Sequence, residues 1–385
     1  LSQNIPWTGG SLFLETSAQR MDLFSEHKYS WQTSPIMIGY RQSLFGYNSL
    51  KWDKRIEPVR YQEAKKNYVE TLELVSANAI NKFFALATAQ SNYDIASFNY
   101  ANADTLYRYA QGRYNIGTIT ENEMLQLELN RLTEETNRMN ARIEMDNCMQ
   151  ELRSYLGIQE EREIRVRVSS RIPNFSINLN EALALAYENS PDIQTMKRRK
   201  LESESAVARA RANAGLKADI YLRFGLTQTA DKLPEAYRNL LDQQYVSLSI
   251  SLPILDWGRG KGQVRVARSN RDLVYTQVEQ SRTDFELNVR KLVKQFNLQT
   301  QRVRIAARTD ETAQRRNEVA RKLYILGKST ILDLNASISE KDSARRNYVS
   351  ALYNYWSLYY TLRSMTLYDF ESNKLLTEDY NLLIE

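Results

Sequence analysis

The chain has 385 residues but only 13 Gly and 7 Pro, so turns are few and the elements between them are long. A mean hydropathy of -0.56 and the lack of any apolar run of about eighteen residues exclude a bundle of membrane helices. They do not exclude membrane β-strands, whose alternation cancels in a hydropathy average. The formal charge of +6 comes from cations scattered among acids, as with Arg302, Arg304, Arg308, Arg315, Arg316 and Arg321. That pattern reads as a solvated helix face, and no nucleic-acid partner is expected.

Residues 1–52 hold a first pair of strands. In SLFLETS (12–17 its core), Leu12, Leu14 and Thr16 share one face; in 36–45, Ile36, Ile38 and Tyr40 alternate with Met37, Gly39 and Arg41. Residues 53–157 form a long helical hairpin with its tip near 117. Its first arm, 53–116, has no glycine before Gly112 and spans on the order of 95 Å. Its second arm carries Leu125, Leu129, Leu132, Thr136, Met139 and Ile143 at four-three spacing, a heptad seam that packs lengthwise on a neighbour. Residues 158–178 are a connector, and 179–216 a further helix. A second strand pair occupies 217–256, with strands at 220–227 and 246–252; Pro253, which has no N–H to donate, stops the latter. Residues 257–366 form a second hairpin with its tip near 327 and a seam at Phe285, Val289, Leu292, Phe296, Gln299 and Val303. An acidic tail, 367–385, closes the chain.

The order strand pair, helix, turn, helix therefore occurs twice. Gly117 in RYNIGTITENEML and Gly327 in LYILGKSTILDLN lie 210 residues apart, and Gly46 and Gly258 lie 212 apart. Such a repeat fixes architecture more firmly than a single motif. The counterpart of helix 179–216 falls before Leu1. Leu1 is not an initiator and no signal peptide precedes it, so the start is expected to be mature or trimmed.

Val246, Leu248, Ile250 and Leu252 alternate with Ser247, Ser249 and Ser251. A half-exposed soluble sheet and a membrane barrel with lipid-facing aliphatics both fit that strand alone. The ten-residue strand length, the aromatics at strand ends (Trp31, Tyr47, Trp52, Tyr245, Trp257) and the lack of any segment to cover the apolar face favour the barrel. Four strands do not close a barrel, and open edges are not tolerated in lipid, so several copies must contribute. Strand count alone does not choose among two, three or four.

Little in the chain suggests catalysis. His27 is the only histidine and falls in the loop LFSEHKYS, where it is expected to be exposed; this leaves no Ser-His-Asp triad at tunnel-interior positions and no multi-histidine metal site. Gly258, Gly260 and Gly262 lack the spacing and Lys-Ser/Thr ending of a phosphate loop and read as a turn. Cys148, the only cysteine, reads as a small buried residue, and the compartment is not legible from it. No enzyme activity, cofactor or metal is expected. At the tips, Gly117 and Gly327 supply the left-handed conformation that reverses a hairpin, and Thr120 and Thr330 cap the returning helices.

These pieces, together with SLSISLPILDWGRGKGQVRVARSN and LNEALALAYENSP, resemble the TolC family of outer-membrane factors over nearly the whole chain. The resemblance implies a mixed, mainly α fold in a homotrimer. Its long helical hairpins form a periplasmic tunnel, and four transmembrane strands per chain complete a 12-stranded barrel in outer-membrane lipid. It implies an exit duct for tripartite efflux or type I secretion, working with a periplasmic membrane-fusion adaptor and, indirectly, an inner-membrane pump of RND or ABC type. Tyr114, Gly117, Thr118, Thr120, Tyr324, Gly327, Lys328 and Thr330 become adaptor contacts. Asp333, placed two turns inside the second tip, and its counterpart Glu123 become the periplasmic gate, where converging carboxylates favour cations. Val246, Leu248, Ile250 and Leu252 become lipid-facing. The competing reading is a soluble coiled-coil scaffold, which suits the hairpins but not the alternating strands. The cargo is not legible.

Overall fold

In the computed structural model the described residues are 1–160, 162–169, 172–326 and 328–376, and they divide into two compact units. The first unit comprises Leu1–Lys65 and Pro191–Asp284. Its sheet is antiparallel throughout, in the order β1 (Ser2–Asn4), β2 (Ser11–Leu23), β3 (Lys28–Ser43), β4 (Lys217–Ala230), β5 (Leu241–Ser251). The strands run longer than their alternating cores in the sequence, because polar residues such as Gln19, Arg20, Gln228 and Thr229 extend the ladder past the apolar stretch. The short β1, which lacks any apolar alternation, adds a fifth strand by pairing with Ser11–Phe13. Pro35 offers no N–H to the ladder, and there β3 slips register against both neighbours, between Thr33 and Met37 on the β4 side.

Register makes the sheet two-faced. Leu14, Ile38 and Phe224 lie in one cross-strand row, and Leu12, Tyr40, Leu222 and Val246 in the next. The opposite face carries Glu15, Arg41, Asp219, Tyr221, Arg223 and Ser247. There the Phe13 ring stacks on Tyr221 at 5.7 Å and lies over Gly39, where a Cβ would come within 2.1 Å of it. Glycine at that point is what lets the ring lie flat on the sheet.

The helices of this unit are the first turns of α1 (Ser49–Asn115), then α4 (Pro191–Ala214), and the start of α5 (Arg259–Ile325). The helix expected over 179–216 is in fact two, α3 (Leu179–Asn189) and α4. Ser190 precedes Pro191 and takes an extended ψ of 136, since proline pushes its predecessor out of the helical region while itself suiting a first helical position. Arg198 on α4 donates to Glu63 on α1 at 2.6 Å and to Glu202 at 3.0 Å. The Arg198 bond holds the Glu63 carboxyl below the usual range, and Thr195 adds a second donor.

The second unit comprises Lys66–Ser190 and the described residues from Phe285. It holds the rest of α1 and α5, with α2 (Glu121–Tyr155), α3, α6 (Ile331–Thr366) and a small hairpin of β6 (Tyr368–Asp369) and β7 (Lys374–Leu375). The tail from 377 to 385 lies outside the described residues. Its core is aromatic: Phe296 on α5 lies 5.1 Å from Tyr355 and 5.8 Å from Tyr359, both on α6, and all three are almost fully buried. Phe175, from the connector, joins them at 5.4 Å from Phe296. Removing one such ring costs about 3–5 kcal/mol.

The described residues of the connector carry no regular structure, yet they are held at both ends by the same device. The Gln90 side-chain amide donates to the Ile164 carbonyl at 3.1 Å and accepts from the Val166 N–H at 3.2 Å. The Asn297 amide does the same to Ile177, donating to its carbonyl and accepting from its N–H, both at 2.9 Å. A side-chain amide thus imitates a neighbouring strand, satisfying backbone groups that would otherwise be buried unpaired. Cys148 lies half-buried beside the Leu86, Ala89, Met145 and Leu152 cluster, and burial pushes its thiol pKa up.

The two heptad seams have different fates. Phe285, Val289, Phe296, Gln299 and Val303 on α5 are all buried within the chain, whereas Leu125, Leu129, Leu132, Met139 and Ile143 on α2 remain exposed, Leu129 at 61% and Ile143 at 60%.

Candidate functional site: the hairpin tips and the exposed sheet face

Each hairpin reverses by the same local chemistry. At the first tip α1 ends at Asn115, and Gly117 takes a φ of +73, which costs a β-carbon-bearing residue strain that glycine avoids. The Gly117 N–H donates to Tyr114 and the Thr118 N–H to Arg113, at 2.8 and 2.9 Å, tying off two otherwise open carbonyls. At the second tip the Lys328 N–H donates to Leu323 at 2.9 Å, the same bond 210 residues later. Gly327 itself lies outside the described residues. Tyr114, Thr118 and Lys328 are exposed, and Tyr324 is half-buried.

Thr120 and Thr330 each head a returning helix in a capping box. The Thr120 hydroxyl accepts from the Glu123 N–H at 3.2 Å, and the Glu123 carboxylate accepts from the Thr120 N–H at 3.1 Å. Thr330 and Asp333 repeat the arrangement, with the Asp333 N–H donating at 3.1 Å and the Thr330 hydroxyl donating to the carboxylate at 2.7 Å. Asp333 therefore sits in the first turn of α6, not two turns in, because the cap at Thr330 starts the helix only at Ile331. The Thr330 hydroxyl, then its N–H and the Ser329 hydroxyl, hold the Asp333 carboxyl below its ordinary pKa. One carboxylate oxygen, Oδ2, takes all of these bonds.

Beside the tips lies a groove of about 540 Å³ between the last turns of α1 and the facing ends of α5 and α6. Tyr109 and Arg113 of α1 face Arg321 and Tyr324 of α5 and Leu326 just after it, over a floor that includes Leu334 of α6. Of the expected tip residues that are described, only Tyr324 lines this groove. The rest of its wall was not legible, because it is assembled from helices about two hundred residues apart. At its edge Asn317 donates to Ser337 at 3.0 Å, a buried polar pair that fixes α5 against α6.

On the sheet, Val246, Leu248 and Ile250 are 69%, 60% and 66% exposed, and Leu252, just past the end of β5, is 61% exposed. Four aliphatics in alternation, facing outward from an edge strand, form a surface that water does not favour. No helix among the described residues is long and apolar enough to cross a membrane.

Comparison with known proteins agrees with this geometry. The family model described as outer membrane efflux protein matches residues 182–366, which spans the second repeat. A search among curated proteins gave no match. Among solved structures, the CmeC outer membrane channel of Campylobacter jejuni superposes with a TM-score of 0.75 at 15% identity, covering 98% of this chain and 81% of CmeC. The outer membrane protein VceC of Vibrio cholerae gives 0.71 at 15% identity, covering 93% and 86%. The MtrE outer membrane channel of Neisseria gonorrhoeae, in its open state, gives 0.71 at 14% identity, covering 96% and 81%. At these identities the structures establish a shared fold, and across residues 182–366 the sequence is similar to the outer membrane efflux protein family.

Proposed function

We propose that the chain is the outer-membrane exit duct of a tripartite efflux or type I secretion system, a passive conduit that performs no chemistry. One observation carries the reading: an antiparallel sheet with an exposed aliphatic face and a polar opposite face, in the same chain as two long helical hairpins. Lipid supplies what the aliphatic face lacks, and the polar face lines a wet lumen. A soluble scaffold gives that face no partner.

Three copies close the structure. The edge of β5 pairs with β2 of the next subunit, where β1 holds only Ser11–Phe13, and the four long strands of each copy together make twelve. The exposed α2 seam packs on a neighbouring subunit in the periplasmic tunnel. The tips, with Tyr114, Gly117, Thr118, Thr120, Tyr324, Gly327, Lys328 and Thr330, meet a periplasmic adaptor, which links the duct to an inner-membrane pump. Asp333 and Glu123 ring the narrow end. Two like charges about 6 Å apart in water repel by roughly 0.7 kcal/mol, so such a ring does not hold the tunnel shut; packing between hairpins does, and the carboxylates set cation preference.

The test is a pair of arginines one residue apart. Leu248→Arg is expected to cost roughly 2–4 kcal/mol of insertion free energy near the bilayer midplane, and Ser249→Arg little. Equal insertion of the two variants into lipid vesicles would overturn the barrel reading.

A further inference from the structure

We propose that the passage from β5 into α5 binds the anionic phospholipid headgroups of the periplasmic leaflet, an inference that rests on the outer-membrane reading above. The aliphatic row of β5 does not end with the strand. Leu252, Ile254, Leu255 and Trp257 follow Ser251 and are 61%, 92%, 70% and 89% exposed. Directly after them α5 presents Lys261, Arg265 and Arg268, spaced four and three, so that they share one helix face over roughly 10 Å of axis. All three are exposed.

These cations differ from several neighbours in the unit that have carboxylates: Arg271 has Asp272 at 2.7 Å, Lys200 has Glu279 at 2.8 Å and Arg60 has Glu57 at 2.6 Å. Among the described residues, Lys261, Arg265 and Arg268 hold no ion pair. The acid closest in sequence, Asp256, is already engaged, accepting from the N–H of Gly260 at 2.7 Å and of Gly258 at 2.9 Å. The first repeat has the same order in smaller form: Leu44 and Phe45 are exposed after β3, and the exposed Lys51 and Lys54 follow on α1.

Acyl chain, then interface, then phosphate is the order a leaflet presents to a strand leaving it. Aliphatics, then Trp257, then three exposed cations is the order this chain presents in return. An acidic protein partner would require no apolar surface continuous with the lipid-facing row. Each cation near an anionic surface favours binding by about fivefold, an effect that salt screens.

The experiment uses the assembled full chain, first reconstituted into phosphatidylcholine vesicles and assayed for conductance. Failure to insert there would sink the channel reading itself and the inference with it. Protein that inserts is then titrated in detergent with dioleoylphosphatidylglycerol or dioleoylphosphatidylcholine, and bound lipid is counted by native mass spectrometry. We expect phosphatidylglycerol to be retained tenfold or more over phosphatidylcholine at low salt. The combined variant Lys261→Gln, Arg265→Gln, Arg268→Gln is expected to lose that preference while still assembling and conducting. A control of equal charge, Lys291→Gln, Lys294→Gln, Arg302→Gln, is expected to keep it. Equal retention of the two lipids by the unmodified chain, or equal loss in both variants, would overturn the inference while leaving the channel reading intact. Loss of assembly in the first variant alone would overturn it too, assigning the cations to contacts between copies.

Discussion

At the scale of single residues, Asp333 carries two burdens that pull on different atoms. Its Oδ2 closes the capping box, and its charge is what a gate would use. Because its carboxyl pKa is lowered in the folded chain, the stabilisation it brings is present above the unfolded pKa and is lost as pH falls through the folded value. Asp333→Asn keeps an oxygen for the cap and removes the charge. The expected outcome is reduced cation selectivity and weaker block by multivalent cations in planar bilayers, with assembly little changed; unchanged selectivity would place Asp333 off the pore. The caps themselves were legible, since Thr-x-x-Glu at 120–123 and Thr-x-x-Asp at 330–333 spell the reciprocal bonds. The proposed ring rests on the resemblance instead, because an axis belongs to no single chain.

At the scale of elements, the seams are the instructive case. Both arms show the same four-three spacing, and spacing alone does not distinguish the α5 seam, consumed inside the chain, from the α2 seam, left outside it. On α5, Phe285 and Phe296 reach Tyr187 and Tyr355 across the unit, while Leu129 and Ile143 on α2 stay exposed. Ile143→Glu is therefore expected to leave the helical content of the chain intact and to abolish its association, read by circular dichroism and by size in detergent. Phe296→Ala is expected to lower the stability of the chain itself, by about 3–5 kcal/mol in denaturant titration. At the tip, Gly117→Val forces a β-branched residue to a φ of +73, so adaptor binding is expected to weaken while barrel insertion persists. Cysteine crosslinks from Thr118 or Lys328 that reach only outer-membrane proteins would contradict that assignment. The amide bonds of Gln90 and Asn297 to the connector left no trace in the sequence, since neither residue belongs to a motif.

At the scale of the whole molecule, the repeat made the architecture readable. Glycines in near register, two alternating strand pairs and two long arms leave few alternatives, and the resemblance to the TolC family then supplied the subunit number that strand counting left open. Light scattering in mild detergent is expected to return three times the 44.8 kDa chain mass; a solubilised single chain that retains its β-content would refute obligate assembly, because β5 would then keep its open edge.

The connector has a consequence in time as well as in space. Each of these two amide clamps is a pair of hydrogen bonds worth about 0.5–1.5 kcal/mol apiece, set beside the Tyr355 hydroxyl bond to the Pro173 carbonyl at 3.0 Å and the Arg304 bond to Asn174 at 2.8 Å. Such a fastening releases and reforms often without unfolding anything around it. The Val166 and Ile177 amide protons, each held only by a side chain, then exchange with solvent much faster than those of the helices alongside. The strap between the two repeats is thus a clock for local breathing beside helices that packing holds more firmly.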